Sequence, residues 1–217
     1  MDKSRTGTDG AALLELHAVT CERGGRALFS DLNCRVAAGQ LLRVLGANGS
    51  GKTSLLRLVC GLLQPAQGDV LWCGQQTSRM AEEFARQLVY LGHAAALKDD
   101  LSATENLQLA CQLGGLAVTP QQTGLALQQA GLSGRERMPA RQLSQGQRRR
   151  VALSRLVLAT SVPLWVLDEP FNALDSVATD WLCSLITTQL AHGGVVVLTS
   201  HQTVGLDHLP NQVTVAL

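Results

Sequence analysis

The residues with the clearest chemistry form a glycine-rich loop in the first quarter of the chain. It reads Gly46, Ala47, Asn48, Gly49, Ser50, Gly51, Lys52 and Thr53. This run fits the pattern G-x-x-x-x-G-K-S/T, in which backbone N–H groups converge on a polyphosphate at a helix N-terminus. The lysine reaches the terminal phosphates and the threonine hydroxyl can ligate Mg²⁺. The loop therefore predicts a site for a nucleoside polyphosphate and its metal ion.

Two carboxylates form the second candidate group. Asp168 and Glu169 directly follow the apolar run 164–167, and Pro170 comes next. A buried strand ending here would place Asp168 beside the phosphate loop, where it could hold Mg²⁺ through water. Glu169, one residue later, could polarise an attacking water as general base. The pair predicts that the bound polyphosphate is hydrolysed.

The elements that must position these groups predict an α/β protein. The continuous apolar runs 164–167 and 195–199 are typical of parallel strands buried on both faces. The segment 94–142 is rich in Gln, Ala and Leu and poor in β-branched residues, which predicts inserted helices. Further strands are predicted at 13–19, 27–36, 41–45, 70–72 and 88–90, and helices at 52–60, 104–113, 120–131, 144–159 and 175–192.

Composition argues against several other classes of protein. Lys and Arg total 18 and Asp and Glu 17, so the net charge of +1 gives no global reason to bind nucleic acid or anionic lipid. No apolar run approaches the roughly 18 residues of a membrane span. Residues 1–10 are polar and are predicted to form a loose tail without a signal core. We therefore expect a cytosolic chain whose membrane attachment comes from a partner.

We interpret the cysteines and the clustered arginines as structural residues rather than as metal-binding or nucleic-acid-binding groups. The six cysteines form no C-x-x-C pair, and Cys34, Cys60, Cys111 and Cys183 have apolar neighbours, which predicts buried reduced thiols. An arginine-rich stretch could suggest nucleic acid. We expect its run 148–150 to be the exposed first turn of a helix instead. The stretch comprises Arg141, Arg148, Arg149, Arg150 and Arg155.

A third motif points to a family. Leu143, Ser144, Gln145, Gly146 and Gln147 precede the Asp-Glu strand and resemble the signature sequence of ABC ATPases. The resemblance extends over nearly the whole chain. It implies a P-loop NTPase of the ABC ATPase type that uses ATP and Mg²⁺, with a RecA-like core and an N-terminal antiparallel β-subdomain. It also implies an inserted helical subdomain at about 94–150, within one nucleotide-binding domain spanning 11–217.

The resemblance also implies a homodimer. Each chain has one phosphate loop and one signature, so the signature makes sense as the lid on the partner's ATP. Ser144 and the Gly146 amide would start a helix whose positive end points outward. Taken alone, Ser144 would be interpreted as a plain helix N-cap. The family further implies that Asp175 lies in the D-loop at the dimer interface and that His201 contacts the γ-phosphate.

Two positions depart from the family pattern. His93 stands where ABC ATPases normally carry a glutamine, and its imidazole can accept a hydrogen bond from water or bind a metal. His93 is therefore a candidate catalytic residue whose charge depends on pH. The usual adenine-stacking aromatic is replaced by Arg23, whose guanidinium can stack on adenine. A solvated arginine in a turn is the equal alternative at that position.

Several loops resemble one subgroup, the ATP-binding subunits of bacterial cytochrome c maturation systems, or haem exporter ATPases. They are residues 21–23, 90–93, 97–98, 104–107 and 164–171. The resemblance implies membrane subunits of a cytochrome c maturation complex as partners, and a peripheral position on the cytoplasmic face of the bacterial inner membrane. ATP hydrolysis would drive haem delivery or release of a haem chaperone. The alternatives are an ATPase of another exporter, for a drug or lipid, and a non-transport ABC protein acting on nucleic acid or ribosomes.

Overall fold

A computed structural model describes residues 12–200, 205–206, 209 and 211–217. The predicted tail 1–10 and His201 lie outside these ranges. The strands are β1 (Ala12–Arg23), β2 (Arg26–Ala37), β3 (Leu41–Leu45), β4 (Gln67–Trp72), β5 (Gln75–Gln76), β6 (Leu88–Leu91), β7 (Leu164–Leu167), β8 (Val195–Thr199) and β9 (Gln212–Ala216). The helices are α1 (Lys52–Val59), α2 (Ala81–Ala85), α3 (Ala103–Leu113), α4 (Pro120–Gln129), α5 (Gln145–Leu153), α6 (Arg155–Leu158) and α7 (Ser176–Ala191).

An antiparallel sheet opens the chain. Its strand order is β2-β1-β4-β5, and β1 pairs with both β2 and β4. The β1–β2 turn uses Gly24 and Gly25 at φ 59° and 74°, a backbone conformation that glycine adopts without steric cost. The predicted N-terminal antiparallel β-subdomain is confirmed.

A parallel sheet forms the centre of the fold. Its order is β6-β7-β8-β3-β9, and every neighbouring pair is parallel. Every residue of β7 and β8 is buried, as their continuous apolar runs predicted. Alternate side chains of β7 enter two separate hydrophobic clusters, one shared with α1 and the other with α7. The carboxyl ends of β3, β6, β7 and β8 meet at one edge, where parallel sheets bind ligands.

The inserted helices α3, α4 and α5 share a third cluster that includes Leu107, Leu127 and Val151. Capping boxes start α3 at Ser102 and α4 at Thr119, which satisfies backbone N–H groups at both helix ends. Helices α1, α3, α4 and α7 agree with their predicted bounds to within two residues. Together with the two sheets they confirm the predicted fold class. Within the described ranges, no helix is both long and apolar enough to cross a membrane.

Three features of the fold differ from the sequence predictions. The predicted helix 144–159 is divided at Ser154, which is buried and whose hydroxyl donates to the Arg150 carbonyl at 2.8 Å. Such a bond to the preceding turn bends helices. The short elements β5 and α2 were not predicted. Neither was β9, which pairs with β3 along the sheet edge and is mostly accessible. The four cysteines predicted to be buried are buried and free.

Candidate functional site

The phosphate loop joins β3 to α1 through strained backbone that only glycine tolerates well. Gly46 has φ 152° and Gly51, the N-cap residue of α1, has φ 107°. A Cβ at Gly46 would lie 2.5 Å from Ser50 Oγ and 2.8 Å from the Leu217 carbonyl oxygen. These positions therefore keep the loop tight and its N–H groups accessible at the helix N-terminus.

Lys52 curls back over this loop. Its side chain is only 8% exposed, and Nζ donates to the Gly46 carbonyl at 2.8 Å and the Ala47 carbonyl at 3.0 Å. The hydrogen bond of an ammonium to a charged oxygen is stronger than its hydrogen bond to a carbonyl. The amine is thus held where a phosphate resting on the loop could replace its carbonyl partners.

Asp168 joins the phosphate loop to two strands. Its carboxylate, in a residue that is 2% exposed, accepts hydrogen bonds from Thr53 Oγ1 at 2.9 Å and Thr199 Oγ1 at 2.8 Å. A hydroxyl and a carboxylate are the hard oxygen ligands that Mg²⁺ prefers. No cluster of three or more His, Cys, Asp or Glu side chains among the described residues could hold a metal ion alone. The arrangement therefore fits Mg²⁺ held jointly with phosphate and water oxygens.

Glu169 follows in an unusual backbone conformation, with φ 48°. A non-glycine residue in this region costs about 1–3 kcal/mol and persists only when its surroundings fix it. Its N–H donates to Thr199 Oγ1 at 2.8 Å, and its carbonyl accepts from Arg149 Nη2 at 2.9 Å. Contacts from β8 and α5 thus hold the backbone from which the candidate base projects.

One cavity of about 630 Å³ brings these groups together. That volume lies within the usual range of about 300–1,000 Å³ for ligand pockets. The predicted residues that line it are Arg23, Asn48, Gly49, Gly51, Lys52, Thr53, His93, Asp168 and Glu169, joined by Leu28, Ser54 and Asn172. The signature residues 143–147 and Asp175 do not line it.

Comparison with known proteins assigns the family. The ABC transporter family model matches residues 29–172. The chain belongs to the ABC transporter family. The cytochrome c biogenesis ATP-binding export protein CcmA of Nitrosospira multiformis is 48% identical over 186 residues, covering 86% of this chain and 90% of that protein. CcmA of Nitrosomonas europaea is 46% identical over 209 residues, covering 94% and 98%. These relatives assign this ABC cassette to the CcmA group.

A solved structure supports the same fold. The ABC cassette superimposes on a protein described as the ATP binding subunit of an ABC transporter with a TM-score of 0.78 and 26% identity. The match covers 87% of this chain and 79% of that one. ABC ATPases bind ATP, so the cavity above the phosphate loop is the nucleotide-site candidate of this cassette.

The signature of the cassette lies at the surface, outside the cavity. Ser144 is exposed and caps α5, with Oγ accepting from the Gln147 N–H at 3.2 Å and Gln147 Oε1 accepting from the Ser144 N–H at 3.0 Å. The cap uses the hydroxyl as an acceptor, which leaves its hydrogen for another ligand. Leu143 is buried, whereas Gln145 is exposed.

The loop before α7 packs against the start of the signature helix. A Cβ on Gly146 would lie 2.6 Å from the Ala173 carbonyl oxygen, so the two backbones are in close contact. Asp175 is exposed and caps α7, with Oδ1 accepting from the Ala178 N–H at 2.8 Å. Ser144 and Asp175 are therefore both helix caps on the same outer surface, and neither reaches the chain's own cavity.

The expectation that residues 148–150 form an exposed turn is wrong. Arg149 is only 5% exposed, and Arg148 and Arg150 are partly buried. Arg149 lies one and two helical turns before Leu153 and Leu156, which are fully buried. This spacing of four and seven residues places it on the inward face. The helical period was therefore the signal in the sequence that could have identified it.

A second, mainly apolar cavity of about 240 Å³, here called the lateral groove, lies beside α3. Segment 94–98 forms one wall, and α3 with α5 and α6 forms the other. Asn106 shapes the first wall, because its side chain accepts from the Lys98 N–H at 2.7 Å and donates to the Lys98, Leu101 and Ser102 carbonyls. The 97–98 and 104–107 segments that resembled the cytochrome c maturation subgroup therefore build this groove.

Proposed function

We propose that this chain is the ATP-hydrolysing subunit of an export complex for cytochrome c biogenesis, and that the complex delivers haem or releases a haem chaperone. The observation that carries the proposal is the near full-length similarity to CcmA proteins, with 94% of this chain aligned to one of them. The gathering of five phosphate-loop residues, Lys52 and Thr53 among them, and both carboxylates around one cavity supports ATP hydrolysis at that site.

In the proposed site the phosphate loop holds ATP. The loop N–H groups and the Lys52 ammonium bind the phosphates, and Thr53 with Asp168 holds Mg²⁺, which neutralises phosphate charge when bound. Binding would free Lys52 from the two carbonyls that it now contacts. Arg23, which also lines the cavity, would stack on the adenine.

Glu169 is the proposed general base. Its fixed backbone and its place on the cavity wall suit a carboxylate that orients and deprotonates a water in line with the terminal phosphate. His93 lines the same cavity and is the proposed second group around that water. His201 lies outside the described residues, and its contact with the γ-phosphate stays a prediction.

The signature requires a second copy of the chain. Ser144 and Gly146 begin α5 on the outer surface and do not line the chain's own cavity. We propose that they cover the ATP bound by a partner copy, where the helix N-terminus and the Ser144 hydroxyl would meet the phosphates. Asp175 and the 77% exposed Val177 would lie at the same interface.

The lateral groove is the proposed contact with integral membrane subunits. Leu109 and Leu113 line it, and Leu113 is 80% exposed. Lys98, Arg149 and Arg155 supply positive charge, and no acidic side chain of the described residues lines the groove. An apolar segment with an acidic group would complement it. Such a contact would hold the chain on the cytoplasmic face of the bacterial inner membrane.

The cellular proposal is tested by covalent haem attachment. In host cells carrying only Glu169→Gln, we expect haem-stained c-type cytochromes to be absent, because the complex cannot complete its ATP cycle. The exposed α2 carboxylate offers a matched control, Glu82→Gln, which should stain as wild type. Normal staining with Glu169→Gln, at equal protein level, would overturn the cytochrome c assignment.

A further inference from the structure

Arg149 lies between the ATP cavity and the lateral groove. It lines the lateral groove, and its guanidinium bonds to backbone carbonyls of segments that line the ATP cavity. We propose that Arg149 is a positioning residue that couples occupancy of the lateral groove to hydrolysis, by fixing the backbone of Glu169 and His93. This inference rests on the proposed ATPase function and assigns the control of ATP hydrolysis to the Arg149 side chain.

The contacts of Arg149 run to two separate segments. Nη1 donates to the carbonyls of Gly92 at 2.8 Å and His93 at 3.2 Å, after β6. Nη2 donates to the carbonyls of Asp168 and Glu169, both at 2.9 Å, after β7. Nε donates to the Pro170 carbonyl at 3.3 Å. A planar fork with five N–H donors can bond all five carbonyls of the two segments, whereas an ammonium has only three donors on one nitrogen.

A buried guanidinium such as that of Arg149 would destabilise the fold if it lacked hydrogen-bond acceptors. Burial lowers the pKa of the Arg149 guanidinium, and the nearby Asp168 and Glu169 carboxylates oppose that change. The cation is retained because every nitrogen of its guanidinium donates to a carbonyl. Among the described residues, the hydrogen-bond acceptors of Arg149 are all main-chain oxygens, so Arg149 fixes backbone position rather than neutralising one carboxylate.

Glu169 depends on this support. Its positive φ is sustained only if bonds hold the residue from both sides. Thr199 bonds its N–H and Arg149 bonds its carbonyl. Loss of the Arg149 bond would let the peptide after Glu169 rotate and move the carboxylate relative to the attacking water.

The position of Arg149 on α5 connects three regions. The helix is capped by Ser144 in the signature, its inner face carries Arg149, and its next turn, at Val151 and Ala152, lines the lateral groove. A partner segment that shifts this wall moves the guanidinium, and with it the carbonyls on both sides. Occupancy of the groove would thereby change the rate of hydrolysis without touching the nucleotide.

The test compares Arg149→Gln and Arg149→Lys with the neighbouring control Arg148→Gln, whose side chain instead bonds Asp99 and the Ala140 carbonyl. We expect Arg149→Gln to lower kcat about 100-fold, as displacement of a catalytic group by about 1 Å can do. The KM for ATP should stay within about twofold, because no ATP contact is lost. Arg148→Gln should retain the wild-type kcat and its stimulation by the membrane subunits.

The conservative variant Arg149→Lys serves as the control for misfolding. Arg149→Lys keeps the charge but cannot reach both segments, so we expect normal ATP-induced thermal stabilisation and a kcat still reduced about tenfold or more. In the complete complex, stimulation by the membrane subunits should be lost. A wild-type kcat with retained stimulation in Arg149→Lys would overturn the inference. If Glu169→Gln also turned over normally, the proposed function itself would fail, so the two failures are distinguishable.

Discussion

Replacing Glu169 by Gln is expected to lower ATP turnover about 10²–10⁴-fold, the usual contribution of a general base. The amide keeps the shape and the backbone contacts, including the bonds to Thr199 and Arg149, but cannot accept the proton of the attacking water. ATP binding should be unaffected, since the phosphate loop and Asp168 are unchanged.

The same variant should trap an intermediate. With ATP and Mg²⁺ present, Glu169→Gln should elute from gel filtration as a dimer that retains uncleaved ATP. The control Glu82→Gln removes an exposed carboxylate on α2 and should hydrolyse ATP like wild type. Undiminished turnover by Glu169→Gln would remove this residue from the mechanism.

Replacing Lys52 by Ala should abolish nucleotide binding at working concentrations. Charge-assisted hydrogen bonds contribute about 1.5–3 kcal/mol, which corresponds to a loss of affinity of about 10–150-fold. The ammonium also bridges the Gly46 and Ala47 carbonyls, so its loss loosens the loop itself. Titration with a fluorescent ATP analogue measures the change.

An exposed arginine of similar charge serves as the control for Lys52. Arg79→Ala removes a cation that does not line the cavity and should bind the analogue with wild-type affinity. Equal affinity in Lys52→Ala and wild type would mean that the nucleotide binds elsewhere.

The parts of the site that lie in one continuous stretch were predictable from the sequence. The phosphate loop occupies consecutive positions between a strand and a helix, and Asp168 and Glu169 directly follow the apolar run 164–167, which predicted a buried strand. Parallel pairing then brings the ends of β3 and β7 to one edge of the sheet. The Thr53–Asp168 bond follows from that topology.

The features that were missed depend on tertiary contacts. The helical period places Arg149 on the inward face of α5, but its bonding depends on the packing of α5 against the segments after β6 and β7, whose carbonyls accept from it. The break at Ser154 arises from one side-chain bond, to the Arg150 carbonyl. The alternation of polar and apolar residues over Gln212–Val215 could have identified β9 as a strand, whereas its position at the sheet edge depends on its pairing with β3.

The central claim is that each ATP site is shared by two copies of the chain. It is tested most directly by mixing Lys52→Ala chains with Ser144→Arg chains and measuring ATP hydrolysis. Each variant alone should be inactive, since every site would lack either the phosphate-loop lysine or a working signature. In the mixed dimer, one site combines a normal phosphate loop with a normal signature, so activity should return. Full hydrolysis by Ser144→Arg alone, or no recovery in a mixture shown to contain heterodimers, would contradict the account.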